Sequence, residues 1–108
     1  MNQKERDKYI SLRHTESGWY DLIKELDKKL SSIDPEYSIE QIKEKFGGLR
    51  FYFFSDSERQ HEMLQLEMEY ELLSYSICEF CGSREDVKPE GDWIKTLCKS
   101  CRSQSSTN

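Results

Sequence analysis

Four cysteines are the residues of this chain whose type and spacing best suit a definite chemistry. They form two Cys-x-x-Cys pairs with sixteen residues between them, which is close to the spacing of zinc ribbons. Each pair lets two thiolates converge on one ion, and two pairs complete the four-sulfur tetrahedron that Zn²⁺ takes in structural sites. The pattern therefore predicts a structural zinc bound by Cys78, Cys81, Cys98 and Cys101.

Other uses of four thiols stay open on the residues alone. Two disulfides require an oxidising compartment, and an iron–sulfur cluster also takes four thiolates. A redox-active Cys-x-x-Cys requires a thioredoxin-like βαβ context, which the sequence lacks. We place zinc ahead of disulfides because nothing in the sequence indicates export, and we also place it ahead of an iron–sulfur cluster. With four protein ligands the ion would have no open position for water or substrate, so we expect no catalysis by the metal.

The segments beside the cysteines suit a ribbon. Gly82 directly follows the first pair, where a tight backbone turn favours glycine. Between the pairs, residues 89–92 predict a turn. The residues after that turn predict a strand that delivers Cys98 and Cys101 to the metal.

The rest of the chain must supply a small core. Of 108 residues, 35% are hydrophobic and 12% are aromatic, so burial is concentrated in a few large side chains. We expect an α+β fold in which helices pack on a β-hairpin and a C-terminal four-cysteine zinc-ribbon-like module follows. The expected division is a helix, hairpin and helix domain over residues 1–76, a zinc ribbon over 77–103 and a disordered tail over 104–108.

Two amphipathic helices are predicted around the hairpin. The first begins near Ser17, and the second covers residues 57–76 with Asp56 or Ser57 as its N-cap. Residues 4–14 are a weaker helix candidate, which we expect to be a solvated or frayed N-terminal arm. The positions expected to be buried are Trp19, Tyr20, Ile23, Leu26 and Leu30 in the first helix and Met63, Leu66, Tyr70, Leu73 and Ile77 in the second.

The segment "KFGGLRFYFF" predicts the hairpin, with a type I′ turn at Gly47–Gly48, because both central residues of such a turn require positive φ. One face of this hairpin is the predicted core, and the opposite face combines basic and aromatic side chains. A helix over residues 39–46 stays open as an alternative to the first strand. The predicted core face carries Ile42, Phe46, Leu49, Phe51 and Phe53. The candidate partner-binding residues on the opposite face are Lys43, Lys45, Arg50 and Tyr52.

The net charge of −5 is confined to one segment, since residues 56–76 contain six acids and one base. A chain with this balance lacks the clustered basic footprint of general nucleic-acid binding, although a local basic face remains compatible with it. We interpret the acids of residues 56–76 as a solvated helix face. The alternative is that they form an electronegative surface that binds a basic partner. No apolar run approaches the roughly 18 residues of a membrane span, and the N-terminus is charged. We therefore expect a cytoplasmic protein without a membrane segment.

Four motifs carry a resemblance to a known family. They are "GWY", "IKEKFGGLRFYF", "ICEFCG" and "WIKTLCKSC", which together cover roughly Gly18 to Cys101. In these motifs the chain resembles a family of small uncharacterised proteins found in phages, prophages and bacterial genomes. The resemblance implies the same architecture and the metal site, and it favours the hairpin over the helix for residues 39–46. It implies no particular activity.

The sequence contains few residues and no motif that would indicate catalysis. His14 and His61 both fall in charged stretches, and no P-loop, nucleophile elbow, dinucleotide-binding glycine pattern or HExxH pair appears. We therefore expect a non-catalytic protein-interaction module. If a phage encodes it, we expect it to act on a host protein, and inhibition of a host defence system is one such action. The alternative is a nucleic-acid-binding adaptor or regulator that uses the zinc ribbon and the basic hairpin face.

Overall fold

The chain folds as helices packed on a two-stranded hairpin, followed by a second short hairpin that carries the cysteines, as the α+β prediction requires. The computed structural model describes residues 1–11 and 17–105. No helix in this described part of the chain is long and apolar enough to cross a membrane. The elements in chain order are α1 (Gln3–Ser11), a 3₁₀ turn (Ser17–Trp19), α2 (Tyr20–Ile33), β1 (Ser38–Lys45), β2 (Gly48–Phe54), α3 (Gln60–Ser74), β3 (Val87–Glu90), β4 (Lys95–Cys98) and α4 (Lys99–Ser105).

Helix α2 supplies much of the core through the stripe that its sequence predicts. Burial of its apolar face against the hairpin and α3 stabilises a helix far more than intrinsic propensity does. Tyr20 is the exception, because it lies a third of a turn beyond Trp19 and remains 43% exposed, with the Lys24 ammonium 5.2 Å from its ring centre. The prediction that Tyr20 belongs to the core is wrong. The core residues are Ile10, Trp19, Leu22, Ile23, Leu26, Leu30, Tyr37, Ile39, Leu49, Phe51, Met63, Tyr70 and Ile77.

Residues 39–46 form a strand and turn, so the alternative of a helix there is wrong. The predicted hairpin is present, but its two-residue turn is Phe46–Gly47, with φ of 55° and 80°, and not Gly47–Gly48. Lys45 therefore pairs with Gly48, whereas the predicted register pairs it with Arg50. From Gln41 to Lys45 this displacement keeps the same residues on each face, because each one moves by two positions relative to its partner. A register shift between Ile39 and Gln41 then places Ile39 opposite Phe53, where it is buried.

Contacts from distant segments explain the position of the turn. Gly48 lies in the strand, and a Cβ there would lie 2.6 Å from the Tyr75 ring, so a side chain fits only if the end of the Tyr75 side chain moves. The Gly47 N–H donates to Glu44 Oε2 at 2.7 Å, and its carbonyl accepts from Thr96 Oγ1 at 2.5 Å. Phe46 consequently lies in the turn and is 64% exposed, which makes its predicted place in the core wrong.

Helix α3 covers the outer edge of β2. The Leu49 N–H donates to Ser74 Oγ at 2.9 Å, and the Phe51 backbone bonds to the Glu67 carboxylate. An edge strand bonded in this way offers fewer free groups to another chain. The helix begins at Gln60, three residues later than predicted, and its N-terminus has no side-chain cap. Met63, Tyr70 and Ile77 are buried as predicted and Leu66 is partly buried, but Leu73 is 40% exposed, so its predicted place in the buried stripe is wrong.

The N-terminal segment is a docked helix and not a solvated arm. Arg6 of α1 is 1% exposed, and its Nε donates to Asp27 Oδ1 of α2 at 2.9 Å. Its Nη1 donates to the carbonyls of Pro35 at 2.9 Å and Tyr37 at 3.2 Å, in the segment that leads into β1. Residues 12–16, which include His14, lie outside the described residues.

The second hairpin is the ribbon that the cysteine spacing predicts. Strands β3 and β4 are antiparallel, and Val87 pairs with Cys98. The turn between them occupies residues 91–94, two positions later than predicted. Pro89, the predicted first residue of the turn, lies inside β3. Helix α4 follows β4 directly and extends to Ser105, two residues into the segment 104–108 predicted as a tail.

Candidate metal centre

The four cysteine sulfurs lie together at one end of the ribbon. All of them are within 4.8 Å of one another, and Cys81 Sγ and Cys98 Sγ are 3.6 Å apart. A tetrahedral ion with Zn–S bonds of about 2.3 Å holds its sulfurs roughly 3.8 Å apart. All four cysteines are free thiols. The cluster of Cys78, Cys81, Cys98 and Cys101 can therefore bind a metal ion.

The backbone around the first pair forms a tight turn that aims both sulfurs inward. The Cys78 N–H donates to the Ser83 carbonyl at 2.8 Å, and the Gly82 N–H donates to the Cys78 carbonyl at 2.9 Å. Gly82 has a φ of +83°, as its position after the pair predicts. The second pair is split between two elements, since Cys98 ends β4 and Cys101 lies in the first turn of α4.

The sulfurs differ in their readiness to ionise. Burial raises the pKa of Cys78, but backbone hydrogen bonds from Cys81, Cys98 and Phe80 outweigh it and lower the pKa to about 7. Burial and hydrogen bonds with the other thiols raise the pKa of Cys101. Because a metal binds the thiolate form, protons compete with the metal less at Cys78 than at Cys101.

The first cysteine pair is bonded directly to the start of α2. The Gly18 N–H donates to the Glu79 carbonyl at 2.9 Å, and the Trp19 indole N–H donates to the Ile77 carbonyl at 2.9 Å. Trp19 is fully buried, so this bond is shielded from water. The "GWY" motif thus links the metal end of the ribbon to the helical core.

Gly18 has no room for a side chain at this junction. A Cβ would overlap the Cys78 carbonyl oxygen and lie 2.6 Å from the Gly82 nitrogen, and both atoms belong to the backbone of the metal turn. A Cβ on Gly48, in contrast, would meet only the end of the Tyr75 side chain, which can move.

We expect Gly18→Ala to destabilise the protein by about 1–3 kcal/mol, because overpacking against backbone forces the chain to shift. It should also weaken metal binding, since the turn that must shift carries Cys78. Urea unfolding and competition with a chelator dye measure the two effects. Gly48→Ala is the matched comparison, and a Gly18→Ala loss no larger than the Gly48→Ala loss would contradict the expectation.

A buried polar cluster joins the ribbon to the first hairpin. Glu79, which is 5% exposed, accepts the Thr96 N–H at 3.1 Å. Lys95 Nζ lies 3.3 Å from Glu79 Oε1 and 3.5 Å from Glu44 Oε1. Burial raises the pKa of Glu79, and the contacts with Thr96 and Lys95 oppose that shift. These bonds hold the turn of the first hairpin against β4.

The candidate partner-binding residues share one face of the first hairpin. Lys43 pairs with Arg50, and its ammonium lies 5.6 Å from the centre of the Tyr52 ring. Arg50, however, forms an ion pair with Glu71 of α3, which neutralises its charge. The face is therefore less basic than its sequence indicates.

A groove that the sequence did not predict lies between the tips of the two hairpins. It has a volume of about 320 Å³ and is lined by Glu44, Lys45, Phe46, Asp92, Trp93 and Ile94. We call it the tip groove. Phe46 is 64% exposed and Trp93 is 79% exposed, although both side chains are large and apolar. The only sequence signal for it is an aromatic residue in each of two turns, where polar residues are usual.

Comparisons with known proteins were made for the whole chain. No protein-family model, curated protein sequence or solved structure matches it. The family resemblance drawn from the four sequence motifs stays a prediction.

Proposed function

We propose that this chain is a small, non-catalytic zinc-binding module that binds a protein partner through the tip groove. The observation that carries the proposal is the exposure of Phe46 and Trp93 on two turns that the ribbon and the first hairpin hold together. Aromatic residues are enriched at the energetic centres of protein interfaces. The metal has a structural role in this proposal, because its four cysteine ligands leave no position for a substrate.

The choice of zinc is supported by the ligand set. Four thiolates with separations near those of a tetrahedron suit Zn²⁺. The competing occupant is an iron–sulfur cluster, which would use the same four side chains. A colourless protein with one zinc per chain by metal analysis supports the proposal. A visible absorption band with bound iron and sulfide would overturn this part of it.

The backbone of Phe46 gives a second reason to regard the tip groove as functional. A φ of 55° costs a bulky L-residue about 1–2 kcal/mol relative to glycine. Burial does not offset this cost, since the ring is mostly exposed. Asparagine or glycine would serve the same turn with less strain. Inside the chain the exposed ring has the Lys45 ammonium 5.7 Å from its centre, a contact worth too little to offset the strain. We therefore attribute the phenylalanine to a contact with a partner.

Charge favours a protein partner over nucleic acid. Glu44 and Asp92 stand at the groove beside Lys45, and the nearby Lys95 is already paired with two carboxylates. Phosphates would meet these carboxylates without a cluster of free cations to neutralise them. A steeply salt-dependent mobility shift with single- or double-stranded nucleic acid would favour the adaptor alternative instead.

We expect Phe46→Asn to stabilise the fold by about 1 kcal/mol, because it relieves the strained turn and creates an Asn-Gly sequence. The same change should abolish partner binding. Urea unfolding measures the first effect. The second is measured by affinity purification of zinc-loaded bait from bacterial lysate, followed by titration of the recovered protein.

Tyr20→Asn is the control, because Tyr20 is an exposed aromatic on a different surface, at 43% against 64% for Phe46, and its replacement should leave binding intact. The Phe46→Asn protein is its own control for folding, since lost binding cannot be attributed to a less stable protein. Recovery of the same partner by wild type and Phe46→Asn would rule out the tip groove as the binding site.

A further inference from the structure

Helix α3 exposes an apolar stripe on the side that faces away from the core. Leu64, Met68 and Leu72 are 47%, 61% and 69% exposed. Their spacing of four residues places them in a row about 12 Å long, at 1.5 Å of rise per residue. We call this row the α3 stripe. Neighbouring apolar side chains that all remain exposed on one helix are typical of an interaction surface.

Acidic residues lie on both sides of the α3 stripe. The helical positions place Glu67 and Glu71 on the flank toward the first hairpin, and Glu62 and Glu69 on the opposite flank. Residues 56–76 contain six acids and one base, which equals the whole net charge of the chain. The stripe is therefore an apolar row with negative borders.

One end of the α3 stripe opens into a groove against the first hairpin. The groove has a volume of about 480 Å³, and Leu64 on the helix faces Tyr52 on β2 across it. Arg50 on its wall is paired with Glu71, so that cation is already neutralised. The apolar part of this groove is formed by Phe51, Tyr52, Phe53 and Leu64, and the charged residues Glu40, Lys45, Arg50, Glu67 and Glu71 line the rest. The stripe and groove together give a concave and partly apolar surface, the form that receives one face of an amphipathic helix.

The charge pattern distinguishes among the occupants of this surface. A second copy of this chain, placed stripe against stripe, would bring the acids of one helix against those of the other, which is unfavourable. A β-strand of a partner would find the β2 edge already bonded by Ser74 and Glu67. Phosphates of nucleic acid or anionic lipid would be repelled by the acidic borders.

We propose that the α3 stripe binds an amphipathic helix of a partner protein, with leucine-like side chains on its apolar face and Lys or Arg on both borders. The apolar side chains of that helix contact Leu64, Met68 and Leu72. Its cations approach the acidic borders, where Glu62 and Glu71 already pair with Arg59 and Arg50 and therefore attract a partner less than Glu69 does. Met68 at the centre suits this contact, because the flexible thioether adapts to different side chains. This inference is argued separately from the tip groove: Lys45 lines both grooves, but no step of the argument for the α3 stripe rests on it.

A designed peptide tests the surface directly. The probe is an 18-residue helix of leucine and lysine with one apolar face, and its control is the same composition in scrambled order. The chain contains three methionines, and labelling their methyl groups with ¹³C gives built-in reporters. Because Met68 is 61% exposed and Met63 is fully buried, the probe should shift the Met68 signal and leave Met63 nearly unchanged.

Two variants assign the binding to the stripe and to its charge. Met68→Asp and Glu69→Lys should each weaken probe binding about tenfold or more in calorimetric titration, since one removes the apolar centre and the other inverts a border. Phe46→Asn should have no effect, which keeps this result separate from the test of the tip groove. Glu85→Lys makes the same charge change at an exposed site on the ribbon, and should have a much smaller effect.

Three outcomes would overturn the proposal. Equal affinity for the amphipathic and scrambled peptides would show attraction by charge alone. Unchanged affinity in Met68→Asp would place the contact elsewhere. A dimer in sedimentation velocity that Met68→Asp dissociates would show that a second copy of the chain occupies the stripe.

Discussion

Replacing Cys98 by serine should abolish stoichiometric metal binding and unfold the ribbon. Cys98 is 5% exposed and ends β4, so the substituted serine would leave three thiolates around a position from which water is largely excluded. Structural zinc sites contribute on the order of 10 kcal/mol of binding free energy that is available only to the folded state. A ribbon of two strands with four residues each has too little apolar burial to replace this contribution.

The loss should extend into the helical core, because the metal end of the ribbon is bonded to it. Trp19 donates to the Ile77 carbonyl beside the first ligand, and Thr96 donates to the turn of the first hairpin. The chain has two tryptophans, of which Trp19 is buried and Trp93 is 79% exposed. Unfolding around the metal should therefore shift Trp19 fluorescence to longer wavelength, and chelation of wild type should produce the same shift.

Metal analysis and thermal unfolding check this prediction, with Ser100→Ala as the matched control. Ser100 lies between the two ligands of the second pair and is exposed, so its hydroxyl can be removed without touching the metal. We expect the control to keep one metal ion per chain and an unchanged melting temperature. A Cys98→Ser protein that retained one tightly bound ion would show that the other thiols and a water molecule are sufficient.

Replacing Arg6 by alanine should destabilise the protein by about 3–5 kcal/mol. That is the usual cost of removing one partner from a buried ion pair, because the remaining charge loses its compensation. Here the remaining charge is Asp27, which is 4% exposed. Its Oδ1 also accepts the Tyr37 hydroxyl at 2.5 Å, and its Oδ2 accepts Gln3 Nε2 at 2.7 Å. Burial and the bond to Asp27 raise the pKa of Tyr37, so the hydroxyl stays protonated as a donor.

Urea unfolding measures this cost, and Lys4→Ala is the matched control. Lys4 lies on α1 like Arg6, but it is exposed, and its removal should change stability by less than about 0.5 kcal/mol. The double variant Arg6→Met with Asp27→Leu should recover much of the loss, since apolar side chains of similar size can replace a buried pair. An Arg6→Ala protein as stable as Lys4→Ala would mean that the Arg6–Asp27 pair contributes nothing to stability.

The sequence by itself determined the features that depend on local spacing. Two Cys-x-x-Cys pairs bring thiols together through short turns and a hairpin, so their spacing alone indicated a common site for Cys78 and its three partners. The helical repeat from Trp19 to Leu30 depends on 3.6 residues per turn, and alternation from Leu49 to Phe53 depends on the strand period of two. These rules act within a few residues, and the structure confirms the elements that they predict.

Only the tertiary structure decided the features that depend on contacts between distant segments. The Thr96 hydroxyl donates to the Gly47 carbonyl and holds the hairpin turn at Phe46–Gly47, whereas turn chemistry alone favoured two glycines. The carboxylate of Asp27 draws Arg6 into the core, although nothing in the charged N-terminal sequence distinguishes that arginine. The tip groove exists because the two hairpin turns meet in space. Side chains whose positions depend on such contacts leave no periodic pattern in the sequence, because their partners lie tens of residues away along the chain.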